Sequence, residues 1–439
     1  MSIDNSSKRQ FPEAKTALGP YIFHADGSTT FEMDAATMTK TLGNHPEGFS
    51  DLKVPSMHMS SSFKSRERAI AEQSLLKLAG PKYTVADAKC AAGGGDAAES
   101  CYRRATIANG LNSFGTFKGS HHGQSPIATQ LSGLPWRKQR ISGTTLPVIY
   151  LNTPDCHRCR FGKLPETCNV ECADEIEEQL RWTGTGDFNV SGVFYEPILG
   201  NRGGIVLDQR YLQHLAKVCR KHGIALIEDN VQTFARMGQP FGFQVNNIEP
   251  DMLFVAKGVT GDGTPAAGAV ITTEEFDNLV AGENAVTSAG GPLAMIKVAK
   301  TCGIVGDSRF MESVRSNGDY LGDKLNRLVF EHECLAFSRG IGFMRALEVE
   351  TNGHPDNKMA MRIKDAGFET GIVIRVSEYN RGASLIVRPP INCSEDELDD
   401  MCERLSDAIT LATHGKPSQS AHVRAHTAYQ GNFSAQSLP

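Results

Sequence analysis

Four short, uninterrupted apolar runs limit most strongly what this chain can fold into. Runs of this length, bounded by Gly, Pro or charged residues, are typical of strands buried on both faces. Between the second and third runs, the apolar residues of 208–222 recur with the period of a helix, and Gly223 follows where a left-handed helix stop is favoured. This order predicts a βαβ unit in a mainly parallel sheet covered by helices, which is an α/β fold. The runs are 148–151, 193–195, 224–227 and 252–255.

The chain is too long for one compact core. Its 439 residues exceed the ~250–300 at which a single core usually stops growing, so we expect two lobes. Near the C-terminus, Ser394 and Glu397 are spaced as a helix capping box, and an apolar stripe continues behind them to Ile409. Helices mixed with short strands in this part indicate a smaller α/β lobe. From about His414 onward, Ser, Gln, His and Ala dominate, and we expect a loosely held polar tail.

Charge and composition exclude several classes of protein. Lys and Arg total 45 against 50 Asp and Glu, a net charge of -5, so no concentrated basic surface for nucleic acid is indicated. No apolar run is long enough to predict a membrane span, and the N-terminal stretch contains no apolar signal core. Eleven cysteines in such a chain predict reduced thiols in the cytoplasm rather than a disulfide framework.

Two polar motifs in the first third of the chain are candidates for ligand binding. Gly93, Gly94 and Gly95 stand directly before a predicted helix, where backbone N–H groups and the helix dipole favour an anion. A tight strand-to-helix turn is the structural alternative. His121 and His122 form the second motif. The pair is either a metal-binding feature or a surface feature, and the surface is favoured because neighbours in sequence rarely face one site.

Two further polar residues end consecutive predicted strands. Asp229 follows the run 224–227, and a carboxylate there points into the crevice where α/β sheets bind ligands; capping of a following turn is the alternative. Lys257 closes the run 252–255, where it either extends to solvent or is buried with a lowered pKa that makes its amine a nucleophile. An anion cradle, a carboxylate and a reactive lysine together are what pyridoxal phosphate (PLP) requires.

From about Gly19 to Leu411, the sequence resembles the class III aminotransferases, which belong to the fold-type I PLP enzymes. The resemblance implies a large PLP-binding domain over 51–318, a small α/β domain made from 1–50 and 319–413, and a polar tail over 414–439. It rests on the polar motifs above and on five further stretches in the same order. These are YIFHADG (21–27), LGNHPE (42–47), EPILG (196–200), GTPAAGA (263–269) and RPP (388–390).

The resemblance implies a role for each residue around the cofactor ring. Lys257 would form a Schiff base with PLP and then move protons, and Asp229 would pair with the pyridinium nitrogen. Val231 would pack on one ring face, and Gln232 would reach the ring hydroxyl. His121 occupies the position where the family usually has a Tyr or Phe that stacks on the other face.

The resemblance also implies how the phosphate of PLP is held. Gly94 and Gly95 would bind it within one subunit. Thr287 matches a residue that typically reaches the phosphate of the neighbouring subunit. We therefore expect a homodimer with shared active sites.

The resemblance breaks at the substrate-binding end. In the family, the Arg that grips the substrate carboxylate lies three residues before a Pro-Pro pair, and Ile386 occupies that position here. Arg388, two residues on, either substitutes for it or is structural. We hypothesise that Arg202, His24 and His121 form an anion pocket suited to a phosphate or phosphonate. A solvated loop position is the alternative for Arg202.

A cysteine-rich segment adds a separate question. Cys156 and Cys159, together with Cys168 and Cys172, have zinc-like spacing. The resemblance includes relatives with a similar loop that need no metal, so we expect no metal here.

These observations predict a PLP-dependent aminotransferase that acts on the primary amine of a small amino acid or amino compound. One alternative is a lyase that eliminates ammonia or phosphate from an amino-phosphonate or amino-phosphate. Another is an amino-acid racemase or decarboxylase. All of these share the lysine and the electron sink, so the sequence does not separate them. A protein with a decayed site is disfavoured, because Lys257, Asp229 and Gln232 are all present.

Overall fold

The computed structural model describes residues 10–56, 59, 63–139, 146–181, 189–280, 282–283, 285–377 and 383–415. Its strands are β1 (Ala14–Leu18), β2 (Tyr21–His24), β3 (Thr29–Glu32), β4 (Val85–Asp87), β5 (Phe114–Phe117), β6 (Val148–Leu151), β7 (Gly192–Tyr195), β8 (Ile198–Leu199), β9 (Ile205–Val206), β10 (Ala225–Asp229), β11 (Met252–Val255), β12 (Ala269–Thr272), β13 (Leu335–Ile341), β14 (Met344–Thr351), β15 (His354–Pro355), β16 (Ile372–Val373), β17 (Arg375–Val376) and β18 (Ser384–Val387).

Its helical segments are α1 (Ala35–Met38), α2 (Arg66–Ala79), α3 (Gly94–Asn109), α4 (Pro126–Leu131), α5 (Pro135–Lys138), α6 (Ile176–Arg181), α7 (Gln209–Lys221), α8 (Gly242–Asn246), α9 (Pro292–Val305), α10 (Ser308–Glu331), α11 (Asn357–Thr370) and α12 (Glu395–His414). Short 3-10 helices lie at Cys156–Arg158, Glu171–Ala173, Gly200–Arg202, Lys257–Thr260 and Glu274–Phe276.

A seven-stranded sheet forms the centre of the fold, in the order β4-β12-β11-β10-β7-β5-β6. Strands β11, β10, β7, β5 and β6 run parallel, and β12 is antiparallel to both of its neighbours. The four predicted strands are β6, β7, β10 and β11, and the predicted helix is α7. Asp208 caps α7 by accepting from the Arg210 N–H, and Gly223 behind the helix has a φ of +65°. The predicted βαβ unit is therefore confirmed.

Helices cover both faces of this sheet, which explains why its strands are apolar without alternation. Every residue of β7, β10 and β11 is buried. On one face, α3 packs through small side chains that allow a close approach to the strands. The contacting residues are Ala97, Ala98, Cys101 and Ala105 of α3, with Phe114, Phe194 and Phe254 of the sheet. In the part of the chain that the structure describes, no helix is long and apolar enough to cross a membrane.

The two ends of the chain meet in a smaller sheet. Strands β1, β2 and β3 pair in order, and β16 adds to β3, so residues 14–32 and 372–373 share one sheet. A further sheet contains β13, β14, β18 and β17, with β15 paired to β14. The capping box of Ser394 and Glu397 begins α12, as expected, and its apolar stripe is buried. The predicted domain boundary at 318 falls inside α10, so the division into domains stays a prediction.

Candidate active site

The predicted catalytic residues lie at the carboxyl edge of the central sheet. Strands β10 and β11 are parallel, with Asp229 opposite Phe254, so their ends lie side by side. Asp229 is the last residue of β10, and Lys257 follows β11 with a φ of +51°. The next position, Gly258, must lack a side chain, because a Cβ there would collide with Thr41 Oγ1. The parallel register therefore brings the carboxylate and the amine to the same edge of the sheet.

The surroundings of Lys257 activate its amine. Burial, together with the positive charge of Arg388, lowers the pKa of Lys257 to about 8, although Asp229 and Asp34 oppose the shift. At neutral pH the neutral fraction of this amine is thus roughly two orders of magnitude larger than that of an ordinary lysine. A neutral amine is the nucleophilic form. This environment favours the reactive interpretation of Lys257 over the solvent-directed one.

Asp229 is held by a histidine to which the sequence assigned no role. Its Oδ2 accepts from His122 Nδ1 at 2.8 Å, and its Oδ1 accepts from the Val231 N–H at 2.9 Å. Because a carboxylate only accepts, Nδ1 carries the proton, and Nε2 forms a hydrogen bond of 3.1 Å with Thr116 Oγ1. Both Asp229 and His122 are buried. The surface interpretation of the histidine pair is therefore wrong for His122, which orients the carboxylate.

His121 has a different environment from its neighbour. Its backbone N–H donates to Glu196 Oε1 at 2.8 Å, whereas its buried Nδ1 has no hydrogen-bond partner among the described residues. Burial and the charge of Arg137 lower the pKa of His121 to about 3, so the ring is neutral. Burial and the charge of Asp229 raise the pKa of Glu196 to about 8. A neutral ring with an unsatisfied nitrogen fits a position against a bound ligand, and ring stacking by His121 stays a prediction.

The start of α3 forms a cradle that fits an anion. The helix begins at Gly94, where a Cβ would lie 3.1 Å from Val231 Cγ2, so the glycine lets the backbone approach closely. Gly123 has a φ of +135°, and its Cβ would lie 2.7 Å from the Cα of Gly95. The buried Ser125 Oγ, next to Gly95, has no hydrogen-bond partner in the described ranges. Exposed N–H groups and an unsatisfied hydroxyl fit the phosphate of PLP.

Ser125 is a second residue that the sequence analysis missed. It stands at the N-cap of α4, where Ser usually caps its own helix, but its side chain makes no such hydrogen bond. The hydroxyl of Ser125 is a candidate ligand-binding group because it packs next to Gly95 at the start of α3, a contact that the local sequence does not reveal.

Arg388 is engaged inside the protein. Its guanidinium is buried; Nε and Nη2 donate to Asp34 Oδ1 at 2.8 and 2.7 Å, and Nη1 donates to Gln232 Oε1 at 3.0 Å. Because Oε1 of Gln232 accepts from Arg388, the amide NH₂ is the group that can donate to a ligand. Gly200 makes room for this amide, since a Cβ there would collide with Gln232 Oε1. This geometry favours the structural role of Arg388 and disfavours its proposed role as the substrate clamp.

Asp34 connects Arg388 to a second arginine, Arg375. Arg375 Nη1 lies 3.4 Å from Asp34 Oδ2 and 3.1 Å from Thr37 Oγ1. Strand β17 places Arg375 directly opposite Ile386 of β18, the position where the family resemblance predicts an Arg. No local sequence pattern marks Asp34 or Arg375, because their contacts join strands that are distant in the chain.

The turn that follows Asp34 is strained. All four residues of Ala35–Met38 have positive φ, from 43° to 64°. Left-handed backbone costs L-residues roughly 1–2 kcal/mol each, and such strain concentrates at functional sites. The turn packs against the segment after β11, since a Cβ on Gly258 would lie 3.0 Å from Met38 O. The strained turn thus lies against the segment that carries Lys257.

Two predicted substrate-binding residues lie elsewhere. His24 ends β2, where its Nε2 is 2.7 Å from Thr30 Oγ1 and its ring stacks on Phe11. Arg202 lines a cavity of about 580 Å³ whose lining includes neither His24 nor His121. The hypothesis of an anion pocket made by these three residues is therefore corrected, because they contact different surroundings.

The four cysteines of the zinc-like motif line the same cavity as Arg202. All eleven cysteines of the chain are free thiols, and burial raises the pKa of Cys156 to about 11 and that of Cys172 to about 12. Within the described residues, no group of His, Cys, Asp or Glu has an arrangement that could hold a metal ion. A metal-free loop stays a prediction, which the zinc content of the purified protein would test.

Comparisons with known proteins agree with this fold. The family model "Aminotransferase class-III" matches residues 3–409. The diaminobutyrate–2-oxoglutarate aminotransferase of Rhizobium meliloti is 28% identical over 422 residues, which cover 92% of this chain and 89% of that protein. The leucine/methionine racemase of Thermococcus litoralis is 26% identical over 306 residues, or 69% of this chain and 68% of that one. The PLP-bound amine transaminase from an uncultivated Pseudomonas species has a TM-score of 0.82 at 22% identity, covering 94% of this chain and 97% of its own.

An enzyme built on this sheet, with a lysine and a carboxylate at its carboxyl edge, is a fold-type I PLP-dependent enzyme. Within that class, the chain belongs to the class III aminotransferase family, because the family model spans nearly all of it. The predicted fold class, cofactor and family are confirmed. The roles of individual residues and the substrate remain to be proposed.

We predict that His122→Phe impairs catalysis without abolishing cofactor binding. The change keeps a ring but removes the hydrogen bond to Asp229. Hydrogen bonds to charged groups contribute roughly 1.5–3 kcal/mol, so kcat should fall by roughly tenfold to a hundredfold. Steady-state kinetics at full PLP occupancy measure this. The control is Thr116→Val, which removes the hydrogen bond to His122 Nε2 but keeps the one from His122 to Asp229, so its kcat should fall less. A His122→Phe enzyme with the kcat of the parent enzyme would contradict the role of His122 in orienting Asp229.

Proposed function

We propose that this enzyme transfers the amino group of a small primary amine to a keto acid, with Lys257 as the residue that binds PLP covalently. The observation that carries the proposal is that Lys257 and Asp229 lie at the same edge of the sheet, with the carboxylate of Asp229 hydrogen-bonded to His122. When bound, PLP supplies an electron sink for the carbon that bears the amine. The names of the relatives, aminotransferases and racemases, support an amine or amino acid as substrate.

The residues of the site divide the proton chemistry between them. Near a pKa of about 8, the Lys257 amine can accept a proton and return it at the same pH. Each oxygen of Asp229 accepts one hydrogen bond from the protein and keeps a second acceptor position, so the carboxylate can hold a proton at the ring nitrogen. Gln232, oriented by Arg388, can donate its amide to the ring hydroxyl.

Lys257→Ala tests the covalent role directly. We expect loss of turnover and no PLP retained on the protein after borohydride reduction, whereas in the parent enzyme the label should lie on the peptide that contains Lys257. Attachment of PLP to the apoenzyme should also speed up as the pH rises through about 8, because only the deprotonated amine is a nucleophile. Absorbance and peptide mapping measure these outcomes.

The control for this experiment is Lys221→Ala, which removes an exposed lysine that pairs with Glu177. It should retain both turnover and labelling. Turnover that requires a keto acid acceptor supports transfer. Release of ammonia or phosphate without an acceptor would replace transfer by elimination, and inversion of an amino acid without an acceptor would replace it by racemisation.

We infer that the substrate carries an anionic group and that Arg375 receives it. In contrast to the buried Arg388, the side chain of Arg375 is 28% exposed and lines a cavity of about 630 Å³. Its charge also contributes to the lowered pKa of both Lys257 and His121. Arg375 lies directly opposite Ile386 on the neighbouring strand, which supports Arg375 as the cation that replaces the Arg expected at the position of Ile386.

Arg375→Gln should discriminate between substrates by charge. We expect KM for amines that carry a carboxylate or a phosphonate to rise by roughly tenfold to a hundredfold, as for loss of a hydrogen bond to a charged group. KM for an uncharged amine should stay unchanged. Lys364→Gln, which removes a charge from the same cavity, is the matched control. Equal losses for charged and uncharged amines would reject a role in substrate recognition.

We also infer a homodimer with shared active sites. Thr287, at the position that reaches the neighbouring phosphate in the family, is exposed in the single chain. Large apolar side chains are exposed as well: Phe63 is 61%, Ile107 50% and Val280 65% exposed, and Ile107 shares a surface cavity with Leu279. Exposed apolar surface of this kind supports a protein interface.

Mixed dimers test the sharing of sites. Thr287→Glu places a negative charge where the phosphate of the neighbouring subunit would bind, and Lys257→Ala removes the attachment residue. If each site combines the two residues from different subunits, mixing the two inactive variants restores one complete site per hybrid dimer. We therefore expect activity in the mixture that neither parent shows. A mixture that forms hybrid dimers but stays inactive would contradict the shared site.

A further inference from the structure

Glu196 lies at the carboxyl edge of the central sheet, directly behind β7. Strand β7 stands between β5 and β10, and these strands run parallel to each other and to β11. The carboxyl ends of parallel strands meet at one edge of a sheet, where α/β enzymes bind their ligands. The residues that follow or end these four neighbouring strands are His121, Glu196, Asp229 and Lys257. Glu196 therefore stands between two residues that are expected to contact PLP.

The carboxyl group of Glu196 joins two segments through their backbone. Its Oε1 accepts from the His121 N–H at 2.8 Å, and its Oε2 accepts from the Gly200 N–H at 3.4 Å. Glu196 is buried, and within the described ranges of the chain its carboxyl group forms no ion pair. Both hydrogen bonds are thus made to main-chain donors, and both lie where water does not compete for them. The carboxyl group therefore holds the loop after β5 against the segment after β7.

The lengths of these two hydrogen bonds fit an uncharged carboxyl group. Burial and the negative charge of Asp229 raise the pKa of Glu196 to about 8, although the two backbone N–H groups and Lys257 oppose the shift. At neutral pH the group is therefore mostly protonated. Its carbonyl oxygen, the better acceptor, fits the contact of 2.8 Å to His121, and its hydroxyl oxygen fits the longer contact to Gly200. The carbonyl oxygen of an amide offers the same acceptor.

The two donors belong to the segments that determine where two ring-contacting side chains can lie. The ring of His121 is neutral, and its buried Nδ1 has no hydrogen-bond partner among the described residues. Gly200 packs against Gln232, since a Cβ on Gly200 would collide with Gln232 Oε1. A shift of the His121 backbone would therefore move its ring, and a shift of Gly200 would change the space that is open to the Gln232 amide.

We propose that Glu196 is a positioning residue of the PLP site, which fixes the backbone of His121 and Gly200 and through them the His121 ring and the Gln232 amide. The proposal rests on the proposed function, because both side chains are expected to contact PLP that is bound to Lys257. Glu196 acts through the reach of its oxygen to the His121 N–H, and its acidity is not required. This distinction makes the proposal testable with two conservative substitutions.

Glu196→Gln and Glu196→Asp separate reach from acidity. The Gln variant keeps the chain length and the carbonyl acceptor, whereas the Asp variant keeps the acid but shortens the side chain by one methylene group. We expect Glu196→Gln to bind PLP like the parent enzyme. Glu196→Asp should bind PLP roughly threefold to tenfold more weakly, as for loss of one uncharged hydrogen bond. The circular dichroism of bound PLP should also change in Glu196→Asp, because the surroundings of the ring change. Fluorescence titration of the apoenzyme with PLP measures the affinity.

His121→Ala tests whether the effect passes through His121. Glu196→Asp should weaken PLP binding less in the His121→Ala background than in the parent enzyme, because the ring to be positioned is missing. The matched control is Glu348→Asp, which shortens another buried glutamate that lies in β14 and accepts from Arg339 and Ser384. It should lower Tm without changing the affinity for PLP or the circular dichroism of bound PLP.

Four results would overturn the positioning role. They are parent-like PLP binding by Glu196→Asp, weaker binding by Glu196→Gln than by Glu196→Asp, an equal change of the PLP spectrum in Glu348→Asp, and an undiminished effect of Glu196→Asp in the His121→Ala background. PLP should stay attached to Lys257 after borohydride reduction in every Glu196 variant. A parent enzyme without this attachment would instead reject the proposed function, so the two failures are distinguishable.

Discussion

The parallel pairing of β10 and β11 is the constraint on which the active site depends. It aligns the ends of the two strands, so Asp229 and Lys257 share one edge of the sheet although they are 28 positions apart in the chain. Burial at that edge then acts on both groups. It lowers the pKa of the amine. It also strengthens the hydrogen bond from His122 to the carboxylate, because water does not compete for it there.

A second constraint is the buried ion pair between Asp34 and Arg388. Asp34 follows β3, Arg388 follows β18, and Gln232 follows β10, so one arginine connects both ends of the chain to the cofactor edge. Loss of Asp34 would leave the buried guanidinium of Arg388 without its carboxylate partner, and breaking a buried pair in this way typically destabilises a protein by about 3–5 kcal/mol. The pair therefore gives the arginine at this position a structural role that joins Asp34 to Gln232.

Three arginines of this protein have three different environments. Arg388 is saturated by internal partners, Arg375 is shared between Asp34 and an open cavity, and Arg339 has one unsatisfied nitrogen in a second cavity. Arg carries the same charge in all three places, so only burial and partners distinguish the three environments.

The sequence by itself determined the sheet, the α7 helix, the family and the positions of Lys257 and Asp229. These follow from local patterns, since continuous apolar runs define buried strands and the residues just after them must lie at the sheet edge. Only the tertiary structure decided the contacts of His122, Ser125, Arg375 and Arg388, and it placed His24 against Thr30 and Phe11. Those contacts join distant segments, such as the pair of Asp34 and Arg388 across 354 positions, and hydrogen bonds across such distances leave no periodic trace in a single sequence.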